Sequence, residues 1–120
     1  MTLRFQNFPI HKELIKFNNN IYSLSRKLPK QEQFELASQL RRASTSVILN
    51  LAEGSMKKSD KEFRRFILIS VGSAGEIVAI LDICLDLGYI TSSTYNKYLI
   101  QCESIIKQLY GFSKKLKEGS

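Results

Sequence analysis

Histidine is nearly absent: His11 is the only one in 120 residues. It has no placed carboxylate or cysteine partner, so a histidine-based acid–base site lacks its second half. The chain also lacks a G-x-S-x-G elbow, a phosphate-binding loop and the E-x-x-H pairs with which helical bundles hold di-iron centres. Helical-bundle ribonucleases that pair an arginine with a downstream histidine are excluded as well, because no histidine follows any arginine except Arg4. No catalytic residue, cofactor or metal site is therefore expected, and the chain reads as a non-enzyme. Cysteine is scarce too. Cys84 and Cys102 fall inside helical patterns without metal-ligand spacing and are expected to be buried, reduced thiols, which favours a cytoplasmic protein. No secretory signal is expected, since no basic-then-apolar run with a small-residue cleavage site is visible at the start. Two prolines and six glycines leave little punctuation, as suits long helices joined by short loops. Strand-like alternation and hairpin signals are missing throughout.

What is present is helical periodicity. Ile10, Leu14, Phe17, Ile21, Leu24 and Leu28 step alternately by four and three, predicting a helix over about 9–28 that Pro9 opens and Pro29 ends. A second helix is expected over 31–54, with Glu32 and Glu35 near its positive end, the stripe Ala37, Leu40, Ser44, Val47, Leu51, and Gly54 closing it. Ser59 and Glu62 form an S-x-x-E capping box for a third helix over 60–87, ended by Gly88. Thr91 caps a fourth, over 92–117, with the stripe Tyr95, Leu99, Cys102, Ile106, Leu109, Ser113, Leu116. The expected fold is all-α: one domain over 1–120, an antiparallel up-down-up-down four-helix bundle.

The third helix carries two adjacent apolar stripes. One runs Phe63, Ile67, Ser70, Ala74, Ile77, Leu81, Cys84; the other runs Phe66, Ile69, Ser73, Glu76, Ile80, Ile83, Leu87. Between Phe66 and Leu81 its only charge is Glu76. A helix apolar nearly all round is buried on nearly all sides. A membrane span is disfavoured because Glu76, Asp82 and Asp86 are costly in lipid. Burial against neighbouring subunits in a ring-like homo-oligomer is expected instead.

Charge is lopsided. Residues 1–65 hold 13 Lys and Arg against six acids, whereas residues 66–120 hold five against five, without one arginine. Arginine forks match phosphate oxygens, so the basic first half points to a polyanion.

Gln39-Leu40-Arg41-Arg42-Ala43 running on to Asn50-Leu51-Ala52-Glu53-Gly54, then Ser59 to Phe66 and Gly72-Ser73-Ala74, resemble the bacterial 23S rRNA-intervening-sequence protein family. The likeness covers nearly the whole chain, including the Leu28-Pro29 break and the Leu87-Gly88-Tyr89-Ile90 turn. It implies an antiparallel four-helix bundle and a homopentamer. The family is also similar to the accessory protein of diversity-generating retroelements, a basic pentameric barrel that binds nucleic acid and a reverse transcriptase. Departures are mild: Val47 and Leu51 for isoleucines, Ser70 for alanine, and Gly75 before Glu76.

Candidate nucleic-acid contacts are Lys57, Lys58, Lys61, Arg64 and Arg41, with Lys61, Arg64 and Arg65 sharing a helix face at i, i+3, i+4. Arg42 and Arg65 are expected to pair with Glu53 or Glu76 and lock helices or subunits together. Gln39, Ser46, Asn50 and Glu53 form a polar ridge, expected to be a hydrogen-bond seam between helices or subunits. Gly72-Ser73-Ala74-Gly75 lies mid-helix, where small residues admit another helix. Two functions stay open: a nucleic-acid-binding oligomer acting through charge, and a scaffold whose basic surface docks an acidic protein.

Overall fold

The computed structural model describes residues 2–116, and in it the chain forms four long helices with no strand among those residues. They are α1 (Pro9–Arg26), α2 (Leu36–Ser55), α3 (Asp60–Asp86) and α4 (Ser92–Lys115), with short 3-10 turns at Arg4–Asn7 and Lys30–Glu32. The end expected for the fourth helix, at residue 117, lies outside the described residues, as do the outermost positions of the expected domain. α1 packs on α2 and α4, and α3 packs on the same two helices, while the backbones of α1 and α3 do not approach each other closely. The bundle is therefore a square in which α1 and α3 stand at opposite corners.

The α1 stripe is buried in full, from Ile10 to Leu28. So is the α2 stripe, in which Ala37, Leu40, Val47 and Leu51 are at most 2% exposed. α2 starts five residues later than the spacing suggests. Pro29 opens a 3-10 turn, and the Gln33 amide donates to the Ser25 and Leu28 carbonyls, holding the connection away from helical geometry until Leu36. Glu32 consequently lies outside α2 and accepts the Tyr89 hydroxyl at 2.8 Å.

Gly54 does not end α2; the helix runs one residue past it. Its role is steric. A Cβ there would lie 2.5 Å from Phe66 Cβ and 3.0 Å from Phe63 Cδ1, so glycine admits the start of α3. Ser59 caps α3 by accepting the Glu62 N–H, but the Glu62 carboxylate turns to Arg65 instead of completing the box. At the far end Gly88 takes φ +77°, a conformation open to glycine, while Tyr89 N–H reaches Cys84 O and Gly88 N–H reaches Leu85 O.

α4 is rotated from the expected stripe. Tyr98, Cys102, Ile105, Leu109 and Ser113 are buried, whereas Tyr95, Leu99, Ile106 and Leu116 are only partly covered. Tyr98 can enter the core because its hydroxyl donates to Asn20 O at 3.0 Å, which removes the cost of a buried unpaired polar tip. Tyr95 instead reaches the Asp82 carboxylate on α3. Both cysteines are free and buried, and burial pushes both thiols up, Cys102 to about 12.

Candidate nucleic-acid interface and the uncovered face of α3

At the α2–α3 turn, Lys57, Lys58 and Lys61 are exposed. Lys57 lies 3.9 Å from Glu53 and 5.1 Å from the centre of the Phe66 ring; Lys58 and Lys61 make no ion pair among the described residues. An exposed pair of this length is worth little and leaves Lys57 available to an anion. Arg4 joins this end, its guanidinium 5.1 Å from the Phe63 ring centre and 5.8 Å from that of Phe8. Beneath it Phe8 stacks on Phe63, and Phe112 meets both rings edge to face. Arg4 was not legible in advance, because only tertiary packing brings the N-terminal turn onto α3.

Two of the candidate arginines are committed elsewhere. Arg41 donates to Ser25 Oγ at 3.0 Å and Gln33 O at 3.2 Å, tying the end of α1 to the connection before α2. Arg64 is half-buried and donates to Leu116 O at 3.3 Å, satisfying a carbonyl at the end of α4. Their forks serve helix ends rather than a free surface. Lys114 and Lys115, in the last turn of α4, lie at this same end of the bundle. The neutral charge count of the second half conceals them, because Asp82 and Asp86 offset them from the opposite end of α3.

The expected arginine–carboxylate locks take a different form within one chain. Arg65 pairs with Glu62, one turn back on its own helix, at 3.1 Å, and stacks 4.7 Å over Phe66. That hydrogen bond lowers the Glu62 carboxyl from its ordinary value and raises Arg65. Arg42 and Glu76 make no ion pair among the described residues, yet they flank one surface cavity of about 420 Å³ together with Gln39 and Ser46. Beside it the polar ridge of α2 meets α3: Ser46 and Ser73 hydroxyls are 2.8 Å apart, and Asn50 donates to Ser46 O and Oγ at 2.9 Å. Ser46, Asn50 and Ser73 are thus a seam between helices, while Gln39 and Glu53 stay exposed.

The two α3 stripes separate cleanly. The first is buried throughout, whereas the second keeps only Phe66, Ser73 and Ile80 covered. Leu68, Ile69, Ile83 and Leu87 are 39–51% exposed, with Gly72, Gly75, Glu76 and Ala79 open between them. Ser73 and Ala74 of the small-residue run are buried, Ser73 against α2, but a Cβ added at Gly72 or Gly75 would meet nothing within 4 Å, so the two glycines face no helix among the described residues. By length and mean hydropathy α3 is also able to cross a membrane, although one whole side of it forms the bundle core. No cluster of three metal-ligating side chains occurs among the described residues.

The family described as 23S rRNA-intervening sequence protein matches residues 6–111. A crystal structure of a protein of unknown function from the S23 ribosomal protein family of Bacteroides thetaiotaomicron is similar, with a TM-score of 0.79 and 25% identity. The likeness covers 87% of this chain and 97% of that one. No curated protein matches the sequence.

Proposed function

Because the chain belongs to the 23S rRNA-intervening sequence protein family, we propose that it is a non-enzymatic, cytoplasmic homopentamer that holds nucleic-acid backbone on its basic end. The subunit in this reading is an antiparallel up-down-up-down bundle. Its support lies in the cross-helix pairs: as α2 runs from Ser46 to Gly54, its partners on α3 run back from Ser73 to Phe63. Assembly rests on the apolar surface of α3. Covering such surface is worth about 25 cal/mol per Å², and the Arg42–Glu76 cavity beside it offers one charge of each sign to a neighbouring copy. A ring is also what the resemblance to the accessory protein of diversity-generating retroelements implies.

The observation that carries the nucleic-acid reading is the group Arg4, Lys57, Lys58 and Lys61. These four cations share one end of the bundle with a single long, exposed ion pair among them. Around a ring that group repeats, and repeated weak phosphate contacts sum. Binding titrations across a salt series test it. Log K is expected to fall with log salt by about 0.9 per neutralised phosphate on duplex DNA. Replacing Lys57, Lys58 and Lys61 by Gln should flatten that slope without changing assembly. Affinity that ignores salt contradicts the proposal. So does co-purified material that protease removes and nuclease leaves, which points to an acidic protein partner.

A further inference from the structure

The outer face of α1 holds a second set of unpaired cations. Lys12, Lys16 and Arg26 are exposed there and make no ion pair among the described residues. The nearby acid, Glu13, faces α4, where its carboxylate accepts the Gln108 amide at 2.6 Å. From Lys12 to Arg26 the row is about 21 Å long at 1.5 Å per residue, room for several successive phosphates.

Between the cations the surface is not charged. An open surface depression of about 560 Å³, formed wholly by side chains of α1, holds the three cations with Ile15, Asn18 and Tyr22 among its lining. Ile15 is 48% exposed, unusual for isoleucine on a face otherwise polar, and Tyr22 offers a half-buried ring. Asn18 is fixed in place, its Oδ1 accepting the Ser44 hydroxyl at 2.7 Å. The same side chain belongs to the lining, and its amide nitrogen is not engaged by that bond.

A double helix keeps its base faces stacked and offers a protein only phosphates and groove edges. An open surface with an aromatic ring and an aliphatic side chain set among cations suits an unstacked base and its backbone. An amide donor in the same depression suits a 2′-hydroxyl, which DNA lacks. We infer that the α1 face is a contact surface for single-stranded RNA, with phosphates on Lys12, Lys16 and Arg26, a base against Tyr22 and Ile15, and Asn18 at the ribose. This deepens the proposed nucleic-acid binding while using none of the residues of the basic end. It also places the strand on the corner opposite the apolar face of α3 on which the proposed assembly rests.

Fluorescence anisotropy of the full-length protein tests it with labelled oligouridine, the matching deoxyuridine strand and a duplex RNA. Lys12→Gln with Lys16→Gln should weaken oligouridine binding about tenfold. Tyr22→Leu should weaken it about fivefold or more and leave the duplex unchanged, while Tyr22→Phe, which keeps the ring, binds like wild type. The deoxy strand should bind several-fold more weakly than its RNA counterpart. Thermal melts accompany each variant, so that a Tyr22→Leu chain that fails to fold is replaced by the exposed lysine pair as the deciding test. Oligouridine binding unchanged in the Lys12/Lys16 variant overturns the inference, as does equal loss of strand and duplex in Tyr22→Leu. Equal affinity for the deoxy strand overturns the assignment to RNA. If the Lys57/Lys58/Lys61 variant keeps all binding while the α1 variants lose the strand, this surface stands and the basic end falls. The reverse pattern removes this surface and leaves the basic end.

Discussion

α1 and α3 occupy opposite corners of the same square, touch the same two helices and bury comparable stripes against them, yet they face outward with opposite chemistry. Behind the α1 stripe lie Lys12, Lys16, Asn19 and Arg26; behind that of α3 lie Leu68, Gly72, Gly75, Ala79 and Ile83. A narrow apolar arc leaves a helix finished once its bundle closes, and its outer face is free to carry charge. An arc twice as wide leaves surface that the bundle cannot cover. The fold accounts for one α3 stripe; covering the other is the part assigned to the proposed assembly.

The largest effect expected from breaking this contrast is loss of assembly. Leu68→Glu with Ile83→Glu places charges on the open α3 face, where they stay hydrated in a monomer but are costly inside an interface. Size-exclusion chromatography should show the variant as a single chain with its helicity retained. The matched change on α1, Ile15→Glu, should leave assembly untouched. If both behave alike, the two faces are not different in kind.

A charge exchange sharpens the same contrast. Arg42 and Glu76 are exposed and unpaired within the described chain, so reversing either alone should cost the isolated bundle little. Arg42→Glu alone and Glu76→Arg alone should each weaken assembly, and the double variant should restore part of it. Restoration is absent if these side chains do not meet across subunits.

Glycines report on the two sides of α3 separately. Gly54→Ala forces a methyl against Phe66 and Phe63 and should destabilise the bundle by about 1–3 kcal/mol in a denaturant melt. Gly72→Ala meets nothing in the chain, and replacing a mid-helix glycine there would by itself add about 1 kcal/mol. If α3 is covered by another copy, Gly72→Ala should instead loosen assembly.

Much of the fold could be read in advance because periodicity reports burial directly. The α1 and α2 stripes, the first α3 stripe, the Ser59 and Thr91 caps and the Gly88 turn all appear where the residues point. Two features escaped for physical reasons. The turn before α2 depends on Gln33 and Arg41 reaching carbonyls and hydroxyls that no local pattern reveals. The rotation of α4 depends on a hydroxyl of Tyr98 finding Asn20 O across the bundle. For the candidate site, the lysines at the α2–α3 turn were visible as a run of charge. Arg4 and the α1 row were not, since they become surfaces only once helices are placed side by side. Arg41 and Arg64 carried the right charge, but their guanidinium groups reach backbone oxygens and, for Arg41, a serine.

The smallest expected effect is on pH. Burial raises the Cys102 thiol to about 12 from 9.0 and moves the Cys84 thiol and the Tyr98 phenol the same way. A group whose folded value is raised stabilises fully below its unfolded value and loses that stability as pH climbs through the folded one. Melting temperature should therefore hold through neutrality and decline from about pH 9 toward 12. Cys102→Ala should soften that decline.

The contrast between α1 and α3 is tested most directly by the mass of the native protein in solution, from light scattering on a sizing column at micromolar concentration. One species at five times the 13.8 kDa chain mass is expected, unchanged by the Lys12→Gln and Lys16→Gln pair. A wild-type species of 13.8 kDa would contradict it, because the α3 face would then be left in water with nothing to cover it.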